Sequence, residues 1–126
     1  MKSLLAIFFC VSFTTAFAQH GETTSQKKQF IYVIKLTEKY WQESSWDQEA
    51  SNTIQVHFKH LQDMLAEGKL ILAGRTEVEP DKTFGICIFE ADSFEEAKEI
   101  AENDPAVKAG IMTAEIFPYK VALMRK

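Results

Sequence analysis

The sequence is poor in the residues that cross-link or interrupt a folded chain. It has two cysteines, three prolines and five glycines among 126 residues, so it is neither a disulfide-rich scaffold nor a low-complexity segment. Cys10 lies in a segment that we expect to be removed, which leaves Cys87 as the single thiol. An intramolecular disulfide is therefore excluded, and the domain must be stabilised by its core or by a second subunit.

Positive charge is also scarce. The 14 lysines and arginines are outnumbered by 18 acidic residues, which gives a net charge of −4. The basic residues form no stripe along any predicted element. A chain of this kind is not expected to bind nucleic acid or an anionic membrane surface.

The N-terminus predicts export. A Met-Lys start precedes an uncharged apolar run from Leu4 to Phe17, which ends at the small-x-small sequence Ala-Phe-Ala. These features are typical of a secretory signal peptide, here residues 1–18 with cleavage after Ala18. An uncleaved anchor is disfavoured because the run is shorter than the ~20 residues that span a bilayer. The mature protein would be secreted or periplasmic, without a membrane anchor, and its net charge without Lys2 is −5.

Residues 19–28 form a polar, flexible leader, and residues 29–126 form one folded domain. β-Branched and aromatic segments predict strands, and amphipathic segments behind capping residues predict helices. The predicted order is strand 29–36, helix 46–67, strands 69–73 and 83–91, a helix after Ser93, a helical turn after Asp104, and strand 111–124. This β-α-β-β-α-β order indicates an α+β, ferredoxin-like fold, in which two helices cover one face of an antiparallel sheet.

The other face of the sheet also needs a cover. The first and third strands are apolar on both faces, and the chain has no further segment to cover the second face. A partner sheet is the simplest solution, so we expect a homodimer with two sheets packed face to face. A small-molecule pocket would lie between helices and sheet or at the dimer interface.

The long first helix carries two histidines one turn apart. Its start fits a capping box of Ser45 and Gln48. An apolar stripe is formed by Ile54, Phe58, Leu61 and Leu65. At about 100° per residue, His57 lies roughly 70° from the centre of this stripe and His60 roughly 130° from it. We therefore expect His57 at the flank of the buried face and His60 nearer to water.

Four stretches of the chain carry a family resemblance. They are His-Phe-Lys-His-Leu at 57–61, Glu-Gly-Lys-Leu-Ile-Leu-Ala-Gly at 67–74, Ser-Phe-Glu-Glu-Ala at 93–97 and Asp-Pro-Ala-Val-Lys-Ala-Gly at 104–110. In order and spacing they resemble the YCII-related (YciI-like) family, which implies a dimeric α+β barrel. The family's histidine, eleven residues before the glycine that ends the first helix, corresponds to His57, and its aspartate before a proline corresponds to Asp104. The resemblance implies that these two residues form an acid–base pair.

Two features depart from the family pattern. Ala106 stands where an aromatic residue often follows the Asp-Pro pair, which implies a different pocket. Most relatives look cytosolic, whereas this chain begins with an export signal.

A histidine that is hydrogen-bonded to a carboxylate can take or give a proton near neutral pH. The expected reaction is proton abstraction next to a carbonyl group, or an elimination or isomerisation, on a small and partly apolar molecule. No serine or cysteine nucleophile is evident. Two simpler interpretations stay open: Asp104 only caps the turn that begins at Pro105, and His57 is only a histidine at the core edge.

Four further residues are candidates for substrate binding. Arg75 would hold an anionic substrate, or it would pair with Glu77, Glu79 or Asp81 in a weak surface ion pair. Tyr40 and Trp41 would line a pocket or cover the core edge, and His60 would contact the substrate or remain solvated. A non-catalytic dimer that binds a small apolar ligand through these aromatic side chains and Trp46 is the alternative to an enzyme, and a purely structural dimer is a third hypothesis.

A metal site is a second interpretation of the two histidines. His57 and His60 are spaced to share a helix face, and Asp63 or Glu67 would be a further ligand. No third ligand has the definite spacing that zinc sites usually show. We therefore expect neither a metal nor another cofactor.

Overall fold

The computed structural model describes residues 27–125, so the predicted signal peptide and almost all of the leader lie outside the described residues. Two 3-10 turns, Glu38–Trp41 and Glu43–Ser45, connect the first strand to the first helix. None of the helices in this range is both long and apolar enough to cross a membrane. The strands and helices are β1 (Lys28–Leu36), α1 (Gln48–Ala66), β2 (Leu70–Arg75), β3 (Phe84–Ala91), α2 (Phe94–Glu102), α3 (Pro105–Lys108) and β4 (Met112–Tyr119).

The four strands form one antiparallel sheet in the order β2-β3-β1-β4. This topology confirms the prediction of an α+β, ferredoxin-like fold. Because side chains alternate between the faces of a strand, Phe30 and Tyr32 of β1 share one face with their β3 partners Phe89 and Cys87. We call this face the helix side, because α1 and α2 pack on it.

The main core lies between the helix side of the sheet and the two longer helices. Rings of the central strands pack edge to face, with the centroids of Tyr32 and Phe89 5.5 Å apart. Burial of each large apolar side chain contributes about 1.5–3 kcal/mol. The core includes Phe30, Tyr32 and Phe89 of the sheet together with Leu61, Met64, Ala97 and Ala101 of the helices.

α1 begins two residues later than predicted, and its cap is Asp47 rather than Ser45. The Asp47 carboxylate accepts a hydrogen bond from the Ala50 N–H at 2.8 Å. Ser45 instead lies in the second 3-10 turn, and the indole of Trp46 donates to the Tyr40 carbonyl at 3.1 Å. Ser and Asp are about equally good caps, so the residue pattern did not separate two candidates this close together.

The buried face of α1 is rotated relative to the predicted apolar stripe. Phe58 and Leu65, both assigned to the stripe, are 60% and 57% exposed. His57 lies within the buried face rather than at its flank, because α1 packs against α3 as well as against β2. His60 is more exposed than His57, as expected, although its Nε2 atom is buried. The buried residues of α1 are Ala50, His57, Leu61 and Met64.

β4 is an edge strand and is shorter than predicted. It ends at Tyr119, and residues 120–125 have no regular structure, although the pattern predicted a strand as far as Met124. Pro118 lacks an N–H group and is tolerated because β4 lies at the edge of the sheet.

The sheet face opposite the helix side carries apolar side chains that remain exposed. Phe84 and Phe117 alternate out of phase with the core residues of their strands, and a register shift after Leu70 turns Leu72 to the same face. All three are 40% to 47% exposed. Single exposed apolar residues are common on protein surfaces. A group of them on one face of a sheet is typical of a surface that packs against another protein surface.

Candidate functional site

His57 and Asp104 are in direct contact. Nδ1 of His57 lies 2.8 Å from each carboxylate oxygen of Asp104. His57 is 8% exposed, and Asp104 is completely buried. A hydrogen bond to an ionised carboxylate is about twice as strong as one between neutral groups, so this contact holds the imidazole ring in a fixed orientation.

Asp104 reaches His57 because it also caps α3. Its Oδ1 accepts the N–H of Ala106 at 2.9 Å, and Pro105 occupies the start of the helix, where a missing N–H is no loss. Gly110 ends the segment with a φ of +72°, a conformation that favours glycine. Contact of α3 with α1 then places the carboxylate beside His57. The same carboxylate is both helix cap and histidine partner.

Tyr32 is a third member of the site that the residue pattern did not predict. Its hydroxyl donates to Oδ2 of Asp104 at 3.2 Å from the middle of β1. The residue pattern contained a signal, because alternation along β1 places Tyr32 in the core, where a tyrosine hydroxyl needs a partner. The partner lies 72 residues away in the sequence, so its identity emerges only from the fold.

The surroundings of Asp104 determine the proton positions at the site. Burial alone would raise the pKa of the Asp104 carboxyl, but the hydrogen bond and charge of His57, with the donors of Ala106 and Tyr32, lower this pKa below its usual 3.8. An ionised carboxylate only accepts hydrogen bonds, so Nδ1 of His57 carries the proton. Nε2 of His57 makes no hydrogen bond within residues 27–125 and is available as a base.

Acid is expected to destabilise the wild-type protein more than an Asp104→Asn variant. The pKa of Asp104 is lower in the folded than in the unfolded chain, so the ionised carboxylate stabilises the fold above its unfolded-state pKa. This stabilisation is lost as the pH falls from about 4 through the folded-state value. Urea titrations at several pH values would show a steeper acid loss of unfolding free energy in the wild type. If the unfolding free energy fell equally steeply with pH in the two proteins, the lowered pKa of Asp104 in the folded chain would be contradicted.

A cavity of about 470 Å³ lies between α1 and the helix side of the sheet, with His57 in its wall. This volume falls within the usual range of small-molecule sites. Because Nδ1 is bonded to Asp104, Nε2 is the ring nitrogen that a molecule in the cavity can use. The wall is mainly apolar and includes Ile34, Ile54, Phe58, Leu61 and Met112.

The other predicted binding residues divide into two groups. Arg75, exposed at the end of β2, lines the cavity. Tyr40, Trp41 and His60 lie outside its lining. Tyr40 is buried against Trp46, with ring centroids 5.2 Å apart, and Trp46 itself lines the cavity. Of the two predicted loop aromatics, Tyr40 therefore supports the cavity wall through its contact with Trp46.

Cys87 is a buried thiol that adjoins both the cavity and Tyr32. Burial raises the pKa of the Cys87 thiol to about 11, which outweighs the opposing hydrogen bond with Tyr32. A thiol in this state is a poor nucleophile. Among residues 27–125, no three His, Cys, Asp or Glu side chains form a cluster that could hold a metal ion, so the histidine metal site is not formed there.

The solved structure of a dehydrochlorinase supports the fold, and two further structures align less well. The 5-chloro-2-hydroxyhydroquinone dehydrochlorinase from Burkholderia phenoliruptrix AC1100, in complex with 2,5-dihydroxybenzoquinone, aligns with a TM-score of 0.55 and 23% identity, over 73% of this chain and 93% of that chain. An uncharacterized protein from Thermotoga maritima aligns with a TM-score of 0.47 and 10% identity, over 75% and 100% of the respective chains. A dimeric ferredoxin-like protein from an uncultured marine organism aligns with a TM-score of 0.40 and 12% identity, over 81% of this chain and 96% of that chain.

Sequence comparison is more specific about the family. No curated protein sequence matches this chain. A family model described as the YCII-related domain matches residues 20–120, a range that contains every strand and helix given above and both His57 and Asp104. The match extends over most of the 126 residues. The chain therefore belongs to the YCII-related domain family.

Proposed function

We propose that this protein is an acid–base enzyme of the lyase or isomerase type, which uses His57 and Asp104 to transfer a proton on a small organic molecule. The observation that carries the proposal is a fully buried carboxylate bonded to a histidine that lines an apolar cavity. Burial of a charge is costly, and packing alone does not require one. The site contains a base, a group that orients the base, and space for a substrate.

In the proposed reaction, Nε2 of His57 removes a proton from a carbon next to a carbonyl group. The electron pair of the C–H bond moves toward the carbonyl oxygen to give an enolate, and Asp104 stabilises the imidazolium. In an isomerisation, His57 returns the proton to another carbon. In an elimination, the electron pair forms a carbon–carbon double bond while the leaving group departs with its own bonding pair. Neither route needs a covalent bond between protein and substrate.

The dehydrochlorinase from Burkholderia phenoliruptrix supports one choice of test compounds. Its name describes a reaction on a chlorinated hydroxyhydroquinone, and its structure holds a dihydroxybenzoquinone. Halogenated and hydroxylated aromatic compounds therefore belong in the panel, beside small aliphatic carbonyl compounds. At 23% identity the likeness is one of fold, so the choice of substrate rests on the experiment.

Proton exchange in D₂O tests the proposal before the substrate is known. The mature protein would be incubated with the panel, and NMR would follow deuterium incorporation next to the carbonyl group and the appearance of products. We expect catalysed exchange or conversion for a subset of the compounds. Compounds that raise the melting temperature without any exchange or conversion would favour the alternative, a non-catalytic dimer that binds a small ligand.

We also propose that the protein is a homodimer arranged as a dimeric α+β barrel. The exposed apolar side chains of Leu72, Phe84 and Phe117 support this arrangement, because a second sheet would remove them from water. Light scattering of the mature protein should give twice the mass of one chain. A mass equal to one chain at micromolar concentration would rule the dimer out.

Export is a further part of the proposal, supported by the apolar run and cleavage sequence within residues 1–18. The protein would be found in the periplasm or the medium with Gln19 as its first residue. N-terminal sequencing of protein from separated cell fractions would measure this. An intact Met1 in the cytosolic fraction would contradict it.

A further inference from the structure

We propose that Arg75 binds an anionic group of the substrate, so that the substrate is a small, mainly apolar organic anion such as a carboxylate. The inference rests on the proposed function for the reaction at His57. The binding of an anion at Arg75 is nevertheless measurable by itself, without any turnover.

The charges around the cavity favour an anion. No acidic residue among residues 27–125 lines the cavity, and Arg75 is the one lining side chain in this range with a permanent charge. Asp104 is completely buried behind His57, and its oxygens face the donors of His57, Ala106 and Tyr32. Arg75 therefore determines the sign of the potential that a molecule meets inside an otherwise apolar wall.

Arg75 has no acidic partner within residues 27–125. The sequence offered Glu77, Glu79 and Asp81 as neighbours, but none of them lies within ion-pair distance of its guanidinium. The permanently charged cations that do form ion pairs in this range are Lys59, Lys69 and Lys98. The planar guanidinium has five N–H donors in a fork that matches a carboxylate, so its donors are available to a ligand.

Gly85 keeps the cavity floor beside Arg75 free of a side chain. Arg75 pairs with Gly85 of β3, and Gly85 pairs with Ile34 of β1, so all three lie on the helix side of the sheet. A Cβ atom on Gly85 would lie 3.6 Å from Cγ1 of Ile34, 3.9 Å from Cβ of Arg75 and 3.3 Å from the carbonyl of Gly74. A longer side chain at this position would fill the cavity floor between Arg75 and Ile34.

This arrangement assigns a part of the cavity to each part of the substrate. The charged group would bind Arg75 at the exposed end of β2, and the apolar body would contact the wall. The carbon that loses its proton would face His57. The same cation would stabilise the extra negative charge of an enolate, whose formation on a molecule that is already anionic would otherwise be unfavourable.

Benzoate and benzamide are suitable probes, because they have nearly the same shape and differ in charge. Calorimetric titrations would compare the wild type with Arg75→Gln and Arg75→Lys, and with Arg125→Gln as a matched control at the only other arginine of the chain. We expect benzoate to bind the wild type about tenfold more tightly than benzamide. Arg75→Gln should remove this preference and leave benzamide binding unchanged, Arg75→Lys should keep part of it, and Arg125→Gln should keep all of it.

Equal affinities of the wild type for the two probes would overturn the inference, as would undetectable benzoate binding at millimolar concentration. An equal loss in Arg125→Gln would also overturn it, because the effect would then be one of net charge. His57→Gln separates this inference from the proposed function. If both His57→Gln and the wild type bind benzoate more tightly than benzamide, the inference about Arg75 stands. If the wild type then catalyses no proton exchange with any compound of the panel, the proposed reaction fails.

Discussion

Replacement of His57 with glutamine is expected to lower turnover by ~10²–10⁴-fold, the usual contribution of a positioned acid or base. Glutamine is similar in length, and its amide can donate a hydrogen bond to Asp104, but it cannot accept a proton at neutral pH. Ligand binding should therefore change little, because the apolar wall and Arg75 are untouched. Rates of deuterium exchange and dissociation constants, measured on the same compound, would separate the two effects.

His60→Gln is the matched control for this variant. His60 lies on the same helix, one turn further on, but outside the lining of the cavity. The same chemical change should leave turnover almost unaltered. If turnover fell in His60→Gln as much as in His57→Gln, the loss would come from a general change in the helix and not from removal of the His57 ring. Full activity of His57→Gln would remove the proposed base.

Replacement of Asp104 with alanine is expected to lower the free energy of unfolding by about 3 kcal/mol or more, because three hydrogen-bond donors lose their buried acceptor. The change leaves three groups without their partner, namely the ring N–H of His57, the hydroxyl of Tyr32 and the N–H of Ala106. A buried donor that loses its acceptor costs about 1–3 kcal/mol. Urea denaturation at neutral pH would measure the difference.

Asp47→Ala is a useful control because Asp47 and Asp104 both cap a helix. Asp47 accepts from Ala50 at 2.8 Å and Asp104 from Ala106 at 2.9 Å, but Asp47 is exposed and has no histidine partner. Loss of a cap alone costs about 1 kcal/mol. The additional loss of unfolding free energy in Asp104→Ala, relative to Asp47→Ala, therefore measures the contribution of the buried network around Asp104. Equal losses in the two variants would mean that Asp104 acts only as a cap.

Local patterns were sufficient for much of the fold. Alternating and amphipathic segments placed the four strands and two main helices in the correct order. Ser93 caps α2 as predicted and accepts from the Glu96 N–H at 3.1 Å, and Asp104 and Pro105 begin α3 as predicted. These features depend on residues within a few positions of each other, and such short-range interactions are the ones that a sequence encodes directly.

Features that depend on packing between distant segments were harder to predict from the sequence. The stripe of α1 was misplaced because α1 packs against α3 as well as against β2, which buries His57 and leaves Phe58 exposed. The role of Tyr32 required the register of β1 as well as the position of α3. The helical wheel favoured His57 over His60, whereas Asp104 and its pairing with His57 were identified through the family resemblance.

The most direct test of the account is the ¹⁵N NMR spectrum of the His57 ring in the mature protein, recorded at a pH where the ring is neutral. The account predicts a proton on Nδ1, held by Asp104, and a bare Nε2 whose shift responds when benzoate enters the cavity. A neutral ring with its proton on Nε2 would contradict the account, because the nitrogen at the cavity would then be unable to accept a proton.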